Sequence, residues 1–388
     1  MKSSTLPRFY PIHMSRHIVM FILFLVSISC NGQGNKNNYI QLETIKLPEG
    51  FSIAVWAEDV PDARSLAMNG DGSLIFVGNR QGKSVYALKD TNGDGKADRK
   101  YVLADGLRMP NGVAFKNGDL YVAEVSRILR FKNIEKTLEN PKFEVVYDQY
   151  PDKAHHGWKF IAFGPDGLLY VPVGAPCNIC DPEEIFASIT RIDVNSPNIQ
   201  PEIFAKGVRN TVGFDWHPES NDLWFTDNGR DMMGDDIPDC ELNHAPKKGM
   251  HFGYPYWHAG DVKDPEFGNK GKEKSAYTAP AAKLGPHVAP LGMRFYTGSQ
   301  FPSQYKNNIF IAKHGSWNRS KKIGYQLTHV VLDANQKVVR EEVFAEGWLN
   351  HATQDVWGRP VDVMQLPDGS LLVSDDMANC IYKISYKK

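Results

Sequence analysis

The sequence predicts an all-β chain folded as a six-bladed β-propeller, with four-stranded antiparallel blades around a central channel. Three observations predict it. One pattern returns six times: a loop, a short apolar stretch, a turn rich in Gly, Asp, Asn or Pro, and a second stretch of aromatic or β-branched residues. Successive copies start about 45 to 80 residues apart, the span of a four-stranded blade with loops of varied length. Between the copies no segment carries a long apolar face of period 3.6, so core helices are not expected. The 33 Gly, 24 Pro and 11% aromatic content suit many tight turns between aromatic strands.

Taken in order, the chain opens with a leader. Lys2, Arg8 and Arg16 precede the apolar run Ile18 to Ser29, too short to cross a bilayer as a helix. Its ending, Ser27-Ile28-Ser29-Cys30, resembles a loose bacterial lipobox, which makes Cys30 the expected lipidation site. Ordinary cleavage that discards Cys30 is the alternative. The expected organisation is a signal segment over 1–30, a polar tether over 31–45 and the propeller over 46–388. The product would be exported, as a periplasmic or outer-membrane-anchored lipoprotein, and would meet membrane only through its lipid.

The six copies then follow. They read RSLAMNGDGSLIFV (64–77), NGVAFKNGDLYV (111–122), HGWKFIAFGPDGLLYV (156–171), RNTVGFDWHPESNDLWF (209–225), GMRFYTGSQFPSQYKNNIFI (292–311) and RPVDVMQLPDGSLLV (359–373). Each is hairpin chemistry, and the first stretch of each is the expected inner strand of its blade. The residues entering the inner strands should then gather at one end of the channel: Arg64, Asn111, His156, Arg209 with Asn210, and Arg359. The position in the fifth copy falls near Pro290. Any one of these side chains could simply satisfy a loop carbonyl. Together they form a cationic ring with one imidazole. Such a ring suits a small polycarboxylate, because the Arg fork binds carboxylate bidentately; it suits a bare metal poorly, because Arg cannot ligate.

A net charge of −1 creates no field that would favour nucleic acid. Cys177 and Cys180 form a CxxC followed by Asp181 rather than His, which excludes a haem attachment site and leaves a local disulfide or two inert thiols. Asp90, Asn92, Asp94 and Asp98, with Gly95 at the sixth position, match the start of an EF-hand loop. Tyr101 stands where the closing Glu belongs, so a calcium-stapled turn and a plain polar hairpin turn both remain open.

Several motifs together resemble the glucose and sorbosone dehydrogenase family of quinoproteins, nearest to its sorbosone-type branch. They are His156 eight residues ahead of Gly164-Pro165-Asp166-Gly167, the loop Gly174 to Cys180, Val208-Arg209-Asn210, Thr226 to Asp231 leading to Gly234-Asp235-Asp236 and Glu241-Leu242-Asn243, His314-Gly315-Ser316-Trp317-Asn318-Arg319, and Trp357 to Val363. The resemblance runs from about Gly50 to Tyr386.

That resemblance implies a dehydrogenase using pyrroloquinoline quinone (PQQ) and calcium on a sugar, sugar alcohol or sorbosone-like aldehyde. It places His156 as the general base that takes the hydroxyl proton while hydride passes to the quinone. It places Arg209, Asn210 and Arg359 on the cofactor, where Asn111 of the same ring is expected to join them, and suggests Lys313 and Arg319, which flank the HGSWNR motif, for its carboxylates. Gly229 and Arg230 fall on the turn whose backbone carbonyls hold the calcium. Electrons would leave to a separate acceptor, a cytochrome or the quinone pool. Two positions depart from the glucose dehydrogenase branch: Ala175 stands where an aspartate orients the base, and Val361 where a second arginine binds the cofactor. Two other classes compete with this reading, a calcium-dependent lactonase-like hydrolase and a propeller that binds glycan without chemistry.

Overall fold

The computed structural model describes residues 40–387, so the leader, Cys30 and most of the tether lie outside the described residues. The described residues form six radial sheets whose inner strands are Leu66–Met68, Gly112–Lys116, Ala162–Phe163, Phe214–Trp216, Pro290–Phe295 and Pro360–Gln365. From each inner strand the chain steps outward through antiparallel neighbours, as in blade 1, where Ile75–Val77, Val85–Lys89 and Arg99–Ala104 follow Leu66–Met68. Blade 3 carries a fifth, parallel strand, Met250–His251 against Glu202–Lys206. Blade 6 takes its outer strand from the start of the chain: Phe51–Ala57 pairs with Cys380–Tyr386. Hydrogen bonds between these two segments, far apart in the sequence, therefore close the ring.

Residues 40–45, which the sequence assigns to the tether, belong to the folded body. Ile40, Leu42 and Ile45 pack on the core between blades 5 and 6, and Thr44 Oγ1 donates to the Gly347 carbonyl at 2.9 Å. The cluster they pack against contains Trp348 and Trp357, and Trp357 Nε1 donates to Thr44 Oγ1 at 3.1 Å.

The core is divided among the contacts between neighbouring blades. Ile75 and Val77 point into the cluster shared with blade 6, while Phe76 between them points into the cluster shared with blade 2. This alternation is the period of two of a strand buried on both faces, and it explains why second strands such as LYVPV (169–173) read as unbroken apolar runs. Truncating Phe76, which has no exposed surface, to Ala would cost about 3–5 kcal/mol. Gly78 shows how close adjacent blades come: a Cβ there would stand 1.9 Å from the Asn111 carbonyl oxygen.

Strand direction alternates across each blade. The loops entering the inner strands and those joining second to third strands therefore emerge at the same end of the channel, and both sets build the site. The loop over residues 90–98 lies elsewhere, between the third and fourth strands of blade 1. There the Asp90 carboxylate accepts the N–H groups of Gly93 and Gly95, Asp94 accepts that of Lys96, and Asp98 accepts that of Thr91. With Asn92 Oδ1 accepting the N–H of Asp94, the oxygens of Asp90, Asn92, Asp94 and Asp98 are engaged by the turn's own amides, the contacts of a polar hairpin turn. Among the described residues no group of three or more His, Cys, Asp or Glu is arranged to hold a metal ion.

Candidate active site

At the end of the channel where the inner strands begin lies a cavity of 410 Å³, lined by His156, Arg64, Arg80, Arg209, Arg359 and Trp158 among others. Arg209, Arg359 and His156, which the sequence placed at three separate strand entrances, thus face one space. The opposite end holds a second cavity of 410 Å³, walled by Phe115, Phe163, Trp216 and Phe295, with Asp215 and Arg294 as its charged pair. Imidazoles line the first cavity and not the second.

His156 adopts a left-handed backbone, φ +48°, and is buried. Its Nδ1 lies 2.9 Å from the Ala175 carbonyl oxygen. A carbonyl can only accept, so Nδ1 carries the proton and the lone pair sits on Nε2, which has no partner among the described residues. Burial, then the nearby Arg209 charge, hold this imidazole well below the usual histidine range, which keeps it neutral near pH 7. The backbone carbonyl of Ala175 thus orients this imidazole, at the position where the sequence lacks an orienting aspartate. Gly174 makes the contact feasible: a Cβ there would stand 2.6 Å from the His156 Cβ. Two further imidazoles line the cavity: His314 donates from Nε2 to Asp376 at 3.1 Å, and His287 from Nε2 to the Gly234 carbonyl at 2.8 Å.

Arg209 departs from its expected role as an open carboxylate fork. Its Nε donates to the Asn178 carbonyl at 2.9 Å, and Nη1 to the carbonyls of Asn228 at 3.2 Å and Gly229 at 2.8 Å. Nη2 donates to Asn178 Oδ1 at 2.8 Å and to Asp231 at 2.9 Å. All of its N–H groups therefore hold protein acceptors, and Arg209 fastens the blade 3 loop to the blade 4 loop while lending its charge to the cavity. Cys177 and Cys180, joined as a disulfide, bracket Asn178 and fix that clasp.

Asp376 anchors the other side. It lies 2.6 Å from Arg64 Nη1 and 2.9 Å from Arg359, with His314 as third partner. Burial alone would raise its carboxyl, but His314, Arg64 and Arg359 outweigh burial and hold it far below the usual range. Arg230 pairs with Asp264. The arginines of the cavity thus outnumber the carboxylates that balance them, which are Asp376, Asp231 and Asp264. The excess positive charge suits an anionic ligand.

The remaining expected positions part company. Asn210 lines the cavity. Asn111 does not: it is fully buried beneath Arg64, accepting from Arg64 Nε at 2.7 Å and donating to Ser65 and the Lys159 carbonyl. Asn111 supports an arginine rather than meeting a cofactor. Lys313 is turned outward from the channel onto the Leu284 carbonyl and Glu341, and Arg319 onto Asp235 and Asp236. Neither lines the cavity, because a nearer acidic or carbonyl partner captures each long side chain. The Gly229 carbonyl expected to hold calcium faces Arg209, and the Arg230 side chain is taken by Asp264. Arg80, Trp158, Asn178 and Asp376 were not expected. Three of them sit on loops joining second to third strands, and the signal that marks those loops, a short polar run after a β-branched stretch, is present in the sequence.

With this geometry in place, comparison with known proteins is direct. The pattern of the Glucose / Sorbosone dehydrogenase family matches residues 114–383. The chain belongs to the glucose/sorbosone dehydrogenase family. Over 358 residues it is 33% identical to a protein of Borreliella burgdorferi, covering 89% of this chain and 92% of that one. It is 27% identical to the aldose sugar dehydrogenase YliI of Escherichia coli, over 63% of this chain and 64% of that relative. Among solved structures, the holo PQQ domain of a Coprinopsis cinerea pyranose dehydrogenase superposes with a TM-score of 0.72 at 17% identity, over 88% of this chain and 97% of that one. The PQQ-bound aldose sugar dehydrogenase of Streptomyces coelicolor gives 0.62 at 19% identity, over 88% of this chain and 100% of that one. These likenesses establish the propeller fold; the family membership rests on the pattern and the sequence relatives.

Proposed function

We propose that this glucose/sorbosone dehydrogenase family member oxidises a sugar, sugar alcohol or sorbosone-like aldehyde with PQQ as cofactor, and that His156 is the general base. One observation carries the reading: a buried imidazole with a free Nε2 shares a single 410 Å³ cavity with an excess of arginines. That volume falls in the range of about 300–1,000 Å³ typical of small-molecule sites.

The residues present fit a flat polycarboxylate. Arg359 keeps part of its fork free beside Asp376, Arg80 stands open, and the Asn210 side chain faces the cavity. Trp158 supplies a planar wall. When bound, the quinone would accept the hydride. The chain's own part is to orient the substrate hydroxyl (for an aldehyde, a hydroxyl of its hydrate) toward His156 Nε2, to take its proton there and to keep the Nδ1–H on Ala175 throughout. Calcium belongs to the proposal only as a companion of the quinone. The Gly229 carbonyl is a suitable hard donor, but Arg209 Nη1 occupies it and no carboxylate cluster supports a cation there. An exported chain held by lipid on Cys30, passing electrons to a separate carrier, is the cellular setting of this proposal.

The test is reconstitution. The purified protein is loaded with PQQ and calcium, offered a panel of aldoses, alditols and aldehydes, and followed by reduction of an artificial dye. His156→Ala should still bind PQQ and lose at least about 100-fold in turnover, the usual share of a general base. Absence of dye reduction with every substrate, together with no PQQ binding, would overturn the proposal.

A further inference from the structure

Arg80 is the arginine of this cavity that the protein leaves without an acid. Arg64 and Arg359 share Asp376, Arg209 has Asp231, and Arg230 has Asp264. Among the described residues, the Arg80 guanidinium lies within ion-pairing distance of no carboxylate and makes no hydrogen bond, and its Nε is buried without any partner. A buried, unpaired donor of this kind costs stability unless something answers it. Burial, then the charge of Arg64, bring Arg80 down to about 10, so it remains a cation at neutral pH.

The side chain is nonetheless held in place. Its guanidinium carbon lies 3.8 Å from the ring centroid of Trp158, a contact that orients a cation and weakens its hydration. Trp158 rests in turn on Val212, which precedes the inner strand of blade 4, and on Leu291 and Val361 from the inner strands of blades 5 and 6. Behind Arg80, the Asp62 carboxylate accepts three consecutive backbone N–H groups, from Arg80 at 2.6 Å, from Gln81, and from Gly82 at 3.2 Å. The loop from blade 1 is thereby fixed before any ligand arrives. A guanidinium that is preorganised, desolvated on one nitrogen and open to the cavity is complementary to an anion that takes its N–H groups in pairs, and the planar carboxylate matches the planar fork.

We infer that Arg80, stacked on Trp158, is the carboxylate-binding arm of this cavity, the position at which an acidic group of the bound molecule is recognised. The inference rests on the quinone reading only for the source of that carboxylate. On that reading it belongs to the cofactor; the other source is a sugar acid used as substrate.

The experiment uses the intact protein and two probes, PQQ itself and pyridine-2,4,6-tricarboxylate, which has the acid groups and no quinone. Each is titrated into wild type, Arg80→Gln and Arg80→Lys, with quenching of tryptophan fluorescence as the signal and a melting curve to check folding. Loss of one charge-assisted contact should weaken binding of both probes about 10- to 100-fold in Arg80→Gln, with partial recovery in Arg80→Lys. If the probes bind wild type and Arg80→Gln alike, but Arg80→Gln raises KM for a uronic acid at least tenfold relative to its neutral sugar, the arm stands and its carboxylate is the substrate's. If the tricarboxylate binds in an Arg80-dependent way and PQQ does not bind at all, the arm stands and the quinone reading falls. Equal behaviour of wild type and Arg80→Gln in all three measurements overturns the inference.

Discussion

Replacing Asp376 by Asn removes the carboxylate that Arg64, Arg359 and His314 share. The magnitude follows from how unequally those partners are exposed. The Arg64 side chain is 1% exposed and that of Asp376 3%, so water cannot take over their pairing at 2.6 Å. Breaking such a buried pair by removing one partner costs about 3–5 kcal/mol. The Arg359 side chain is 37% exposed, and solvent screening leaves its share small. The loss should therefore come mainly from Arg64, and an Asp376→Asn protein should unfold about 3–5 kcal/mol more easily at pH 7 in urea, with an unchanged denaturant slope. The pH dependence carries a sign. A carboxyl held below its unfolded value contributes fully above about pH 4 and loses that contribution as pH falls further. The gap between wild type and variant should be level from about pH 5 to 8 and shrink only in stronger acid. A difference under about 1 kcal/mol at pH 7 would refute the view that Asp376 is what allows two arginines to stand together in the cavity.

Three further outcomes are expected. Gly174→Ala should push on His156, since its Cβ would lie 2.6 Å from the histidine's; turnover should fall about 10- to 100-fold while PQQ affinity changes little, and parallel losses in both would contradict this. In the unliganded protein, nitrogen NMR should find His156 neutral and protonated on Nδ1 at pH 6.5; an imidazolium signal at that pH would contradict the Ala175 contact as drawn. Calcium alone should barely raise the melting temperature, and calcium with PQQ should raise it more than the two separate effects combined, because a cation at the Gly229 carbonyl meets Arg209 unless an anion arrives with it. Full stabilisation by calcium without quinone would show that Arg209 yields that carbonyl freely.

The inner strands were legible because their signal is local: an apolar stretch, a Gly or Asp turn and a second stretch need only hairpin chemistry to be recognised. Arg64, His156, Arg209, Asn210 and Arg359 could be placed at one end of the channel for the same reason, since each immediately precedes such a stretch. Their partners could not. Asp376 lies 312 residues from Arg64, and Asn178 lies 31 from the arginine it clasps. No local pattern joins positions so far apart, and the choice between an arginine open to a ligand and one tied to the protein depends on those partners.

The same division separates Arg80 from Lys313. In the sequence both are cations beside β-stretches, and only the resemblance favoured Lys313. In the fold a glutamate and a carbonyl capture Lys313, while Arg80 finds an aromatic ring and no acid. The sequence by itself determined the all-β repeat, the blade number and the end of the channel where Arg64, His156, Arg209 and Arg359 gather, because periodicity and turn chemistry are properties of neighbouring residues. Only the tertiary structure decided which charges are already neutralised and which nitrogen of His156 is free, because pairing and desolvation are settled by side chains that meet from different blades.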